Sequence, residues 1–557
     1  EGGEAQPWGA PQTRVSENVD GTDSKWDGDE KIGVQIEGST ETATYTVQAD
    51  GTVSSNAPLY WSDRDDHTVN AWYPATPLDL SDQTNGLAYL LHGTGRGNYE
   101  KPVELTFTHR LAKVRVTPSN DIAKGEVTSL KLYTYTQCTH NQGNDVQGAT
   151  LGWIEMKECE YNGVTCWEAN VVPGYGITKL QANGTDEREL SATITPEAGS
   201  FYNITLNKDK GYTVSEDGKT YTVYTADGLM AWNDAAQIDL TLNCTLTADI
   251  NLTGKEWTPI GTASNNSYIG TFDGGNHTIS GLTVKGSDEY AGLFGYIGSG
   301  GTVKNVKLEN VQITSDYQYA YVGGVAGNND GAIENCSVSG SVSGNSTYNS
   351  VGGVVGYQWG GSITRCSSSA TVNGTGSVGG VVGQTNLGAI LTACYATKDV
   401  TLESNNSNST YAGGVVGSNG GSSTLIACYA TGNVTGTGTG TDPIYVGGVT
   451  GSNDLGTLTA CYHATGDVTG ASGSTGGVVG RNFKDSMIGG GIITACYWNG
   501  TVTDGNGIGY DMTYAGETTK VEDDWTEAMN AMNAALQSVD SEWCYELTGK
   551  LPTLTKQ

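Results

Sequence analysis

Apolar and small residues between positions 292 and 496 recur in units of about thirty residues. Each unit opens with a block of the type Gly-Gly-Val-x-Gly and reaches a cysteine about a dozen residues later. The blocks are Gly323–Gly327, Gly352–Gly356, Gly379–Gly383, Gly413–Gly417, Gly447–Gly451 and Gly476–Gly480, and the cysteines are Cys336, Cys366, Cys394, Cys428, Cys461 and Cys496. A degenerate first unit has Val306 in the place of the cysteine. This period, rich in strand and turn formers and without helical spacing, predicts a β-solenoid.

The chain before this region is non-repetitive and also rich in strand formers. Strands are predicted at Thr42–Val47, Thr68–Tyr73 and Val103–Val116, and a second β segment extends from Val127 to Leu206. In the third strand the apolar positions change parity at Ala112, which predicts a bulge or bend near His109–Ala112. Lys113 and Arg115 are then expected to face solvent. Short strands at this spacing predict two small β-sandwiches, over residues 1–117 and 118–207.

Two helices are predicted within residues 208–557, the solenoid domain. Thr225–Trp232 can form a short capped helix, and Trp525, Met529, Met532 and Leu536 recur at helical spacing after a pair of aspartates. A solenoid with bare ends exposes a strand edge and an open core. We therefore predict that one helix closes each end.

Composition and charge narrow the class of protein. The chain has 557 residues, 81 glycines, 11 cysteines and a net charge of −32, which disfavours nucleic acid as a partner. Only eight acidic and four basic residues lie between positions 318 and 487, so the solenoid is nearly uncharged. No apolar run approaches the length of a transmembrane segment. One cysteine per coil, with valine as a substitute, predicts free buried thiols; a disulfide among Cys138, Cys159 and Cys166 remains an alternative.

The sequence predicts no catalytic residue, cofactor or metal site. The six histidines are scattered. Asp399 and Asp467 have similar offsets from their coil cysteines, which suits solvated turns as well as paired carboxylates. Aromatic residues are the candidate ligand contacts: Tyr357, Trp359, Tyr395, Tyr429, Tyr462 and Tyr497. The last four each follow a coil cysteine and predict a tyrosine ladder on an outer face. That ladder is either a binding stripe or plain stacking between neighbouring coils.

Four segments in the first third resemble the fimbrillin-like proteins of Bacteroides-type bacteria. They are Thr13–Ser16, Lys25–Val34, Val69–Pro74 and Leu105–Val114. The resemblance implies two transthyretin-like β-sandwiches, export as a lipoprotein and proteolytic trimming at a basic residue, for which Arg14 is the candidate. It also implies assembly with other fimbrial subunits by strand exchange. The leader with its lipid-bearing cysteine is expected to be absent from this sequence.

The repeats are similar to the GLUG-repeat family. The sequence segments that precede them are similar to it as well, at Leu246–Leu252, Trp257–Gly261 and Gly270–Ile279. That resemblance implies a β-solenoid of the kind carried by secreted and surface proteins. The sequence thus predicts an all-β protein, two sandwiches followed by a capped solenoid. Its expected role is that of a non-enzymatic cell-surface adhesin, or an accessory or tip subunit of a fimbria, that contacts a surface protein or glycan. The alternatives are a polysaccharide-processing β-helix enzyme and a passive surface spacer.

Overall fold

The computed structural model describes residues 6–7, 16–17, 24–74, 78–286, 288–485, 489–513 and 517–557. The described chain is almost entirely β-structure and contains two helices. It divides into two compact units, residues 1–209 and residues 210–557. Arg14, the candidate trimming site, lies outside the described residues.

The first unit begins with a six-stranded antiparallel sheet. In spatial order its strands are Thr106–His109, Leu91–Gly97, His67–Tyr73, Glu30–Ile36, Thr42–Val47 and Val53–Ser54. One face buries Trp26, Ile32, Ala71 and Phe107 in a core of their own. The Trp26 ring packs edge-on against Phe107, with 5.5 Å between ring centroids.

Two further sheets of the first unit pack face to face. One contains Gln6–Pro7, Ser200–Leu206, Ala112–Pro118, Val164–Val171 and Lys157–Tyr161; the other contains Asn144–Glu155, Leu130–Asn141, Ile177–Ala182 and Asp186–Ile194, with Leu78–Asp79 beside its second strand. A separate two-stranded pairing joins Ser16–Glu17 to Ser24–Lys25. Val114, Leu132, Trp167 and Tyr202 belong to the one core that both sheets share, so this is a β-sandwich.

The predicted bend near His109–Ala112 is confirmed, because Thr106–His109 and Ala112–Pro118 belong to different sheets. The predicted exposure of Lys113 and Arg115 is wrong. The Lys113 side chain is fully buried 3.5 Å from a carboxylate oxygen of Glu168, which also accepts a bond from Arg115. The Arg115 guanidinium lies 4.3 Å from the ring centroid of Tyr161. Their strand lies between Val164–Val171 and Ser200–Leu206; Lys113 is buried and Arg115 half-buried, and both pair with Glu168 of the first of these strands.

The second unit is a parallel β-solenoid with four faces. The strands of the first face are Tyr212–Val214, Thr220–Val223, Asn243–Leu246, Thr271–Asp273, Thr302–Lys304, Ala332–Glu334, Ser362–Thr364, Ile390–Thr392, Thr424–Ile426, Thr457–Thr459 and Ile492–Thr494. Those of the second face are Ile250–Asn251, Thr278–Ser280, Thr283–Gly286, Lys307–Ser315, Ser337–Gly344, Ser367–Gly374, Tyr395–Ala396, Val400–Ser404, Tyr429–Ala430, Val434–Gly438, Tyr462–His463, Val468–Thr469, Cys496–Trp498 and Thr518–Lys520.

The other two faces meet at the glycine-rich blocks. The third face contains Tyr290–Ala291, Tyr321–Gly323, Ser350–Gly352, Ser377–Gly379, Thr410–Gly413, Ile444–Gly447 and Thr475–Gly476; the fourth contains Phe294–Ile297, Ala326–Asn329, Val355–Trp359, Val382–Asn386, Val416–Asn419, Thr450–Asp454, Val479–Asp485, Gly489–Gly490 and Ile508–Asp511. A Cβ atom on Gly379 would lie 1.9 Å from the Val382 carbonyl oxygen. The tight corner therefore requires glycine at that position.

The repeat cysteines lie in the solenoid core. Cys336, Cys366, Cys394, Cys428, Cys461 and Cys496 are buried free thiols, in one continuous core with Val306. This confirms the sequence interpretation of the ladder. Cys138, Cys159 and Cys166 are also free thiols, although Cys159 lies directly opposite Cys166 on neighbouring strands.

A second internal ladder, which the sequence interpretation missed, is polar. Its members are Asn329, Gln358, Thr385, Asn419, Asn453 and Asn482, all of them buried. Asn419 donates a hydrogen bond of 2.9 Å to Asn453, and Asn453 donates one of 3.1 Å to Asn482. These bonds satisfy amides that would otherwise destabilise the interior.

The two helices occupy different kinds of position. Helix α1, Ala226–Ile238, is capped by Thr225 and buries Trp232 against Phe272 and Phe294 of the first coils, so it closes the core there as predicted. Helix α2, Thr526–Ser538, does not close an end. It packs with the hairpin Trp543–Leu547 and Pro552–Lys556 across the side of several coils. The predicted end cap is therefore wrong for α2.

Candidate ligand-contact surfaces

The predicted tyrosine ladder exists. Tyr395, Tyr429, Tyr462 and Tyr497 are register partners on successive strands of the second face. The rings of Tyr395 and Tyr429 lie 4.8 Å apart at an interplanar angle of 3°, and those of Tyr429 and Tyr462 lie 4.8 Å apart at 1°. The alternative of stacking between coils thus describes this geometry.

Most of the ladder is covered by the C-terminal segment. Tyr462 is 1% exposed, and its ring centroid lies 5.0 Å from Trp525 and 5.7 Å from Tyr545. Tyr429 and Tyr497 are half-buried against the same cluster. Tyr462 was a candidate ligand contact, and this assignment is wrong because its surface is occupied by the chain's own C-terminal segment.

A neighbouring column of residues shows that the coils are adapted to this cover. The residue before each coil cysteine, and before His277 and Val306 at the equivalent position of the first coils, has a left-handed backbone, with φ between 50° and 64°. In the early coils it is Asn276, Asn305, Asn335 and Arg365, and in the later coils it is Ala393, Ala427, Ala460 and Ala495. Asparagine tolerates this conformation better than alanine. Ala393, Ala427 and Ala460 pack in one cluster with Met532 and Leu536 of α2, so the small side chain makes room for the helix.

A second set of aromatic rings lies on the third and fourth faces. We call Tyr290, Tyr296, Tyr321, Tyr357 and Trp359 the aromatic cluster. Tyr321 stacks on Tyr290 at 5.4 Å and on Tyr357 at 5.2 Å, and Tyr357 meets Trp359 edge-on at 5.2 Å. Tyr357, also a candidate ligand contact, is buried within the cluster, so its assignment as a direct contact is wrong, whereas Trp359 is 39% exposed. The stack of buried and half-buried tyrosine rings thus ends in one accessible indole, that of Trp359.

Hydrogen bonds hold the rings of the aromatic cluster in place. The Tyr357 hydroxyl accepts a bond of 3.1 Å from the Asn386 amide, and the Tyr296 hydroxyl donates one of 3.3 Å to Asp330. Burial raises the pKa of both phenols to about 12, so they remain neutral. Burial also raises the pKa of Asp330 above its ordinary value.

A further aromatic pair lies at the corner between the second and third faces. We call Tyr319 and Tyr348 the corner pair; their rings stack at 5.8 Å and 12°, and Tyr319 is 51% exposed. Tyr348 has φ of 63°, in the left-handed region that bulky residues rarely adopt. Backbone strain of this kind is found most often at functional sites.

The carboxylates considered for hydrolytic chemistry serve turns. Asp399 accepts a bond of 3.0 Å from the Asn433 backbone N–H, and the Asn433 side chain accepts one of 2.9 Å from the Asp467 N–H. Asp399 and Asp467 are therefore two coils apart, with Asn433 between them. Within the described ranges, no three His, Cys, Asp or Glu side chains come together as metal ligands. Of the two helices described, neither has the length and hydrophobicity of a membrane span.

The geometry defines a class of protein, a β-sandwich region followed by a laterally covered solenoid with exposed aromatic positions. Residues 13–257 match the fimbrillin-like family, and residues 318–343 and 347–373 match the GLUG motif. The first part of the chain is therefore similar to the fimbrillin-like family, and two of its repeats match the GLUG motif, in agreement with the resemblances seen in the sequence. The fimbrillin-like match continues past residue 209 into the first strands of the solenoid.

Individual relatives match only parts of the chain. Halomucin of Haloquadratum walsbyi is 33% identical over 197 residues, which are 31% of this chain and 2% of Halomucin. A candidate immunoglobulin A1 protease of Bacteroides ovatus has a TM-score of 0.40 at 19% identity, with 61% of this chain and 94% of that chain covered. A candidate cell adhesion protein of Bacteroides uniformis has a TM-score of 0.28 at 20% identity, with 35% and 93% covered.

Proposed function

We propose that this protein is a bacterial cell-surface adhesin of the fimbrial type, which attaches through the aromatic cluster and the corner pair of its solenoid. The fimbrillin-like match supports a surface fimbrial role. The observation that supports attachment is the exposure of Trp359 and Tyr319 at the ends of ordered stacks. Aromatic rings with polar neighbours suit stacking on sugar faces or on protein surfaces.

The architecture supports a proposal for the position of the protein within a fimbria. The family match suggests that the sandwich region joins other fimbrial subunits by strand exchange after trimming at Arg14, and that the precursor is an exported lipoprotein. A solenoid of this size on every subunit would crowd a filament. We therefore favour a tip or accessory position, which immunogold labelling with an antibody to the solenoid tests: labels at filament ends support it and labels along the shaft contradict it.

The attachment surface can be tested with the whole protein on glycan and matrix-protein arrays. The variant Trp359→Ala combined with Tyr319→Ala should lose at least about tenfold in affinity, because exposed aromatic anchors dominate such contacts. The control is Tyr60→Ala in the first unit, where the replaced ring is 83% exposed. Since the contact surface carries few charges, binding should change little between low and physiological salt.

The alternatives give different results in the same experiment. If the binding affinity falls strongly at physiological salt and is the same in the double variant, the contact lies on the acidic sandwiches. Release of shorter products from a polysaccharide identifies a β-helix enzyme. Retention by no array ligand, with the protein still displayed on cells, identifies a passive spacer.

A further inference from the structure

The strongest unassigned feature is a surface cavity of 660 Å³ at the corner of the later coils. We call it the corner cavity; its walls are the end of strand Val434–Gly438 with the loop that follows it, residues 471–474, and Tyr445 and Tyr510. It is lined by both ring faces and polar groups. Tyr510 is 46% exposed, and its centroid lies 6.5 Å from that of Tyr445.

Arg481 holds the Tyr445 ring of the corner cavity in place. The guanidinium of Arg481 lies 5.0 Å from the Tyr445 ring centroid and binds the Asp454 carboxylate at 2.7 and 2.9 Å. The pairing neutralises the arginine charge, so the wall presents rings without a net charge. A guanidinium stacked under a tyrosine also restricts the ring orientation.

The loops of the corner cavity are held in place by hydrogen bonds. Ser472 donates a bond of 2.9 Å to Asp504, and the Gly473 N–H donates one of 2.6 Å to the same carboxylate. On the opposite wall, a Cβ atom on Gly438 would lie 1.8 Å from the Ser404 carbonyl oxygen. Glycine is required there. The exposed Asp442 carboxylate and the Thr441 hydroxyl complete the polar lining.

We propose that the corner cavity binds a neutral saccharide, with a sugar ring against Tyr510 and hydroxyls bonded to Asp442 and Thr441. Aromatic faces beside hydrogen-bonding groups are the chemistry that recognises sugars. The proposal deepens the proposed function and rests on it, because the cavity and the aromatic cluster share columns of one surface. On the third face the register runs Tyr321, Ser350, Ser377, Tyr411, Tyr445.

The register gives the length of the ligand. The two contact sites are Trp359, on the same strand as Tyr357, and Tyr510. The register from Tyr357 to Tyr510 passes through Gln384, Ser418, Ser452 and Arg481, so five strand spacings of about 4.8 Å, or about 24 Å, separate them. On the fourth face the residues between the two sites are polar: Gln384, Ser418, Ser452 and Arg481. On the third face Ser350 and Ser377 are followed by the rings of Tyr411 and Tyr445. A linear glycan can therefore follow the coil axis from Trp359 to the corner cavity, with its two ends held by separate aromatic sites.

The test is a chain-length series. Neutral linear oligosaccharides, cello- and manno-oligosaccharides and fragments of any glycan retained on the array, are titrated by calorimetry from the disaccharide upward. Affinity should increase by at least about tenfold at the length that engages both sites, because the second contact becomes intramolecular. Tyr510→Ala and Asp442→Asn should each remove this increase and leave short-chain binding at the Trp359 site.

The outcomes separate the two proposals. If Trp359→Ala abolishes binding and Tyr510→Ala leaves the length dependence intact, the corner cavity is not a sugar site and the adhesin function stands. If neither variant changes binding, both proposals fail. Binding of peptides and of no saccharide overturns the ligand class. Melting curves of the variants are the folding control, and both changed residues are exposed, so the melting temperature should stay within a few degrees.

Discussion

The hydroxyl of Tyr462 donates a hydrogen bond of 2.5 Å to the backbone carbonyl of Pro552. The Tyr545 hydroxyl donates one of 2.9 Å to the Ala460 carbonyl, so the coil and the C-terminal hairpin are joined in both directions. Both side chains are buried. The tyrosine ladder is therefore the surface on which α2 and the hairpin pack, and these two elements form an intramolecular cover over it.

Replacing Tyr462 by alanine should release this cover. The change removes a buried aromatic side chain and its hydrogen bond, which costs about 3–5 kcal/mol. Hydrogen exchange should accelerate in residues 526–556, while the coil core at residues 425–428 stays protected. Tyr395→Ala is the control, since its ring is only half-buried at the start of the ladder. Unchanged protection of α2 in Tyr462→Ala would show that other contacts hold the cover.

The left-handed position before the coil cysteine allows a test in which a change to asparagine has opposite effects on stability in two coils. Arg365→Asn, in an uncovered coil, should be neutral or stabilise the solenoid slightly, because asparagine suits the left-handed backbone. Ala460→Asn has the same backbone, with φ of 55°, but its side chain would meet α2. We expect about 1–3 kcal/mol of destabilisation from overpacking. Denaturant unfolding followed by tryptophan fluorescence measures the free energy of unfolding of both variants. Equal effects of the two substitutions would contradict the packing of α2 on the alanine positions.

The solenoid was predictable because its repeat places glycine corners and core cysteines at fixed offsets. The lateral cover was not predicted. The stripe Trp525, Met529, Met532 and Leu536 shows that α2 buries one face, but it does not show which surface of the solenoid that face contacts. The signal lay elsewhere. The residue before the coil cysteine is alanine in the same coils in which tyrosine follows the cysteine, and those are the coils that α2 and the hairpin cover.

Two other interpretations failed or were missed for related reasons. Alternation within one strand made Lys113 and Arg115 look exposed, because their partner Glu168 is some fifty residues away in sequence. The buried ladder through Asn419 and Asn453 resembles a row of turn residues, since both precede glycine-containing turns. Only the coil-to-coil hydrogen bonds identify it as interior.

The positions of the cysteine ladder should tolerate another apolar side chain of similar volume but not a charged one. Cys394→Val or Cys428→Val should change the free energy of unfolding by less than about 1.5 kcal/mol, since the volume is nearly conserved. Cys428→Asp should cost several times more, because it buries an unpaired charge. Urea unfolding measures both changes. Valine as damaging as aspartate would mean that the weak thiol hydrogen bonds, such as the one from Cys394 to Thr392, dominate.

Thiol chemistry gives an independent check on the same ladder. Burial raises the pKa of Cys461 and Cys496 well above the ordinary thiol value, so the reactive thiolate is scarce in the folded protein. Alkylation of the repeat cysteines should be slow in native buffer and complete after unfolding, without reductant. Destabilisation of the folded protein by reductant would show that a disulfide is present.

His463 should make the solenoid less stable in mild acid. Its side chain is buried, one ring nitrogen lies 2.9 Å from the Gly432 carbonyl, and burial lowers its pKa below the ordinary value. The unfolded chain takes up a proton near pH 6.5 and the folded chain resists it. Stability is therefore unaffected above that pH and falls below it, by up to about 1.4 kcal/mol per pH unit.

The measurement compares denaturant unfolding of the solenoid at about pH 7.5 and pH 5.5 in the protein and in His463→Gln. Glutamine can still donate to the Gly432 carbonyl but does not titrate, so the acid sensitivity should diminish. The carboxylates contribute equally to both proteins and cancel in the difference. His277→Gln, at a partly exposed histidine 3.3 Å from Asp249, is the matched control and should keep the sensitivity. If His463→Gln loses stability with acid as steeply as the unaltered chain, the buried imidazole is not the group that titrates.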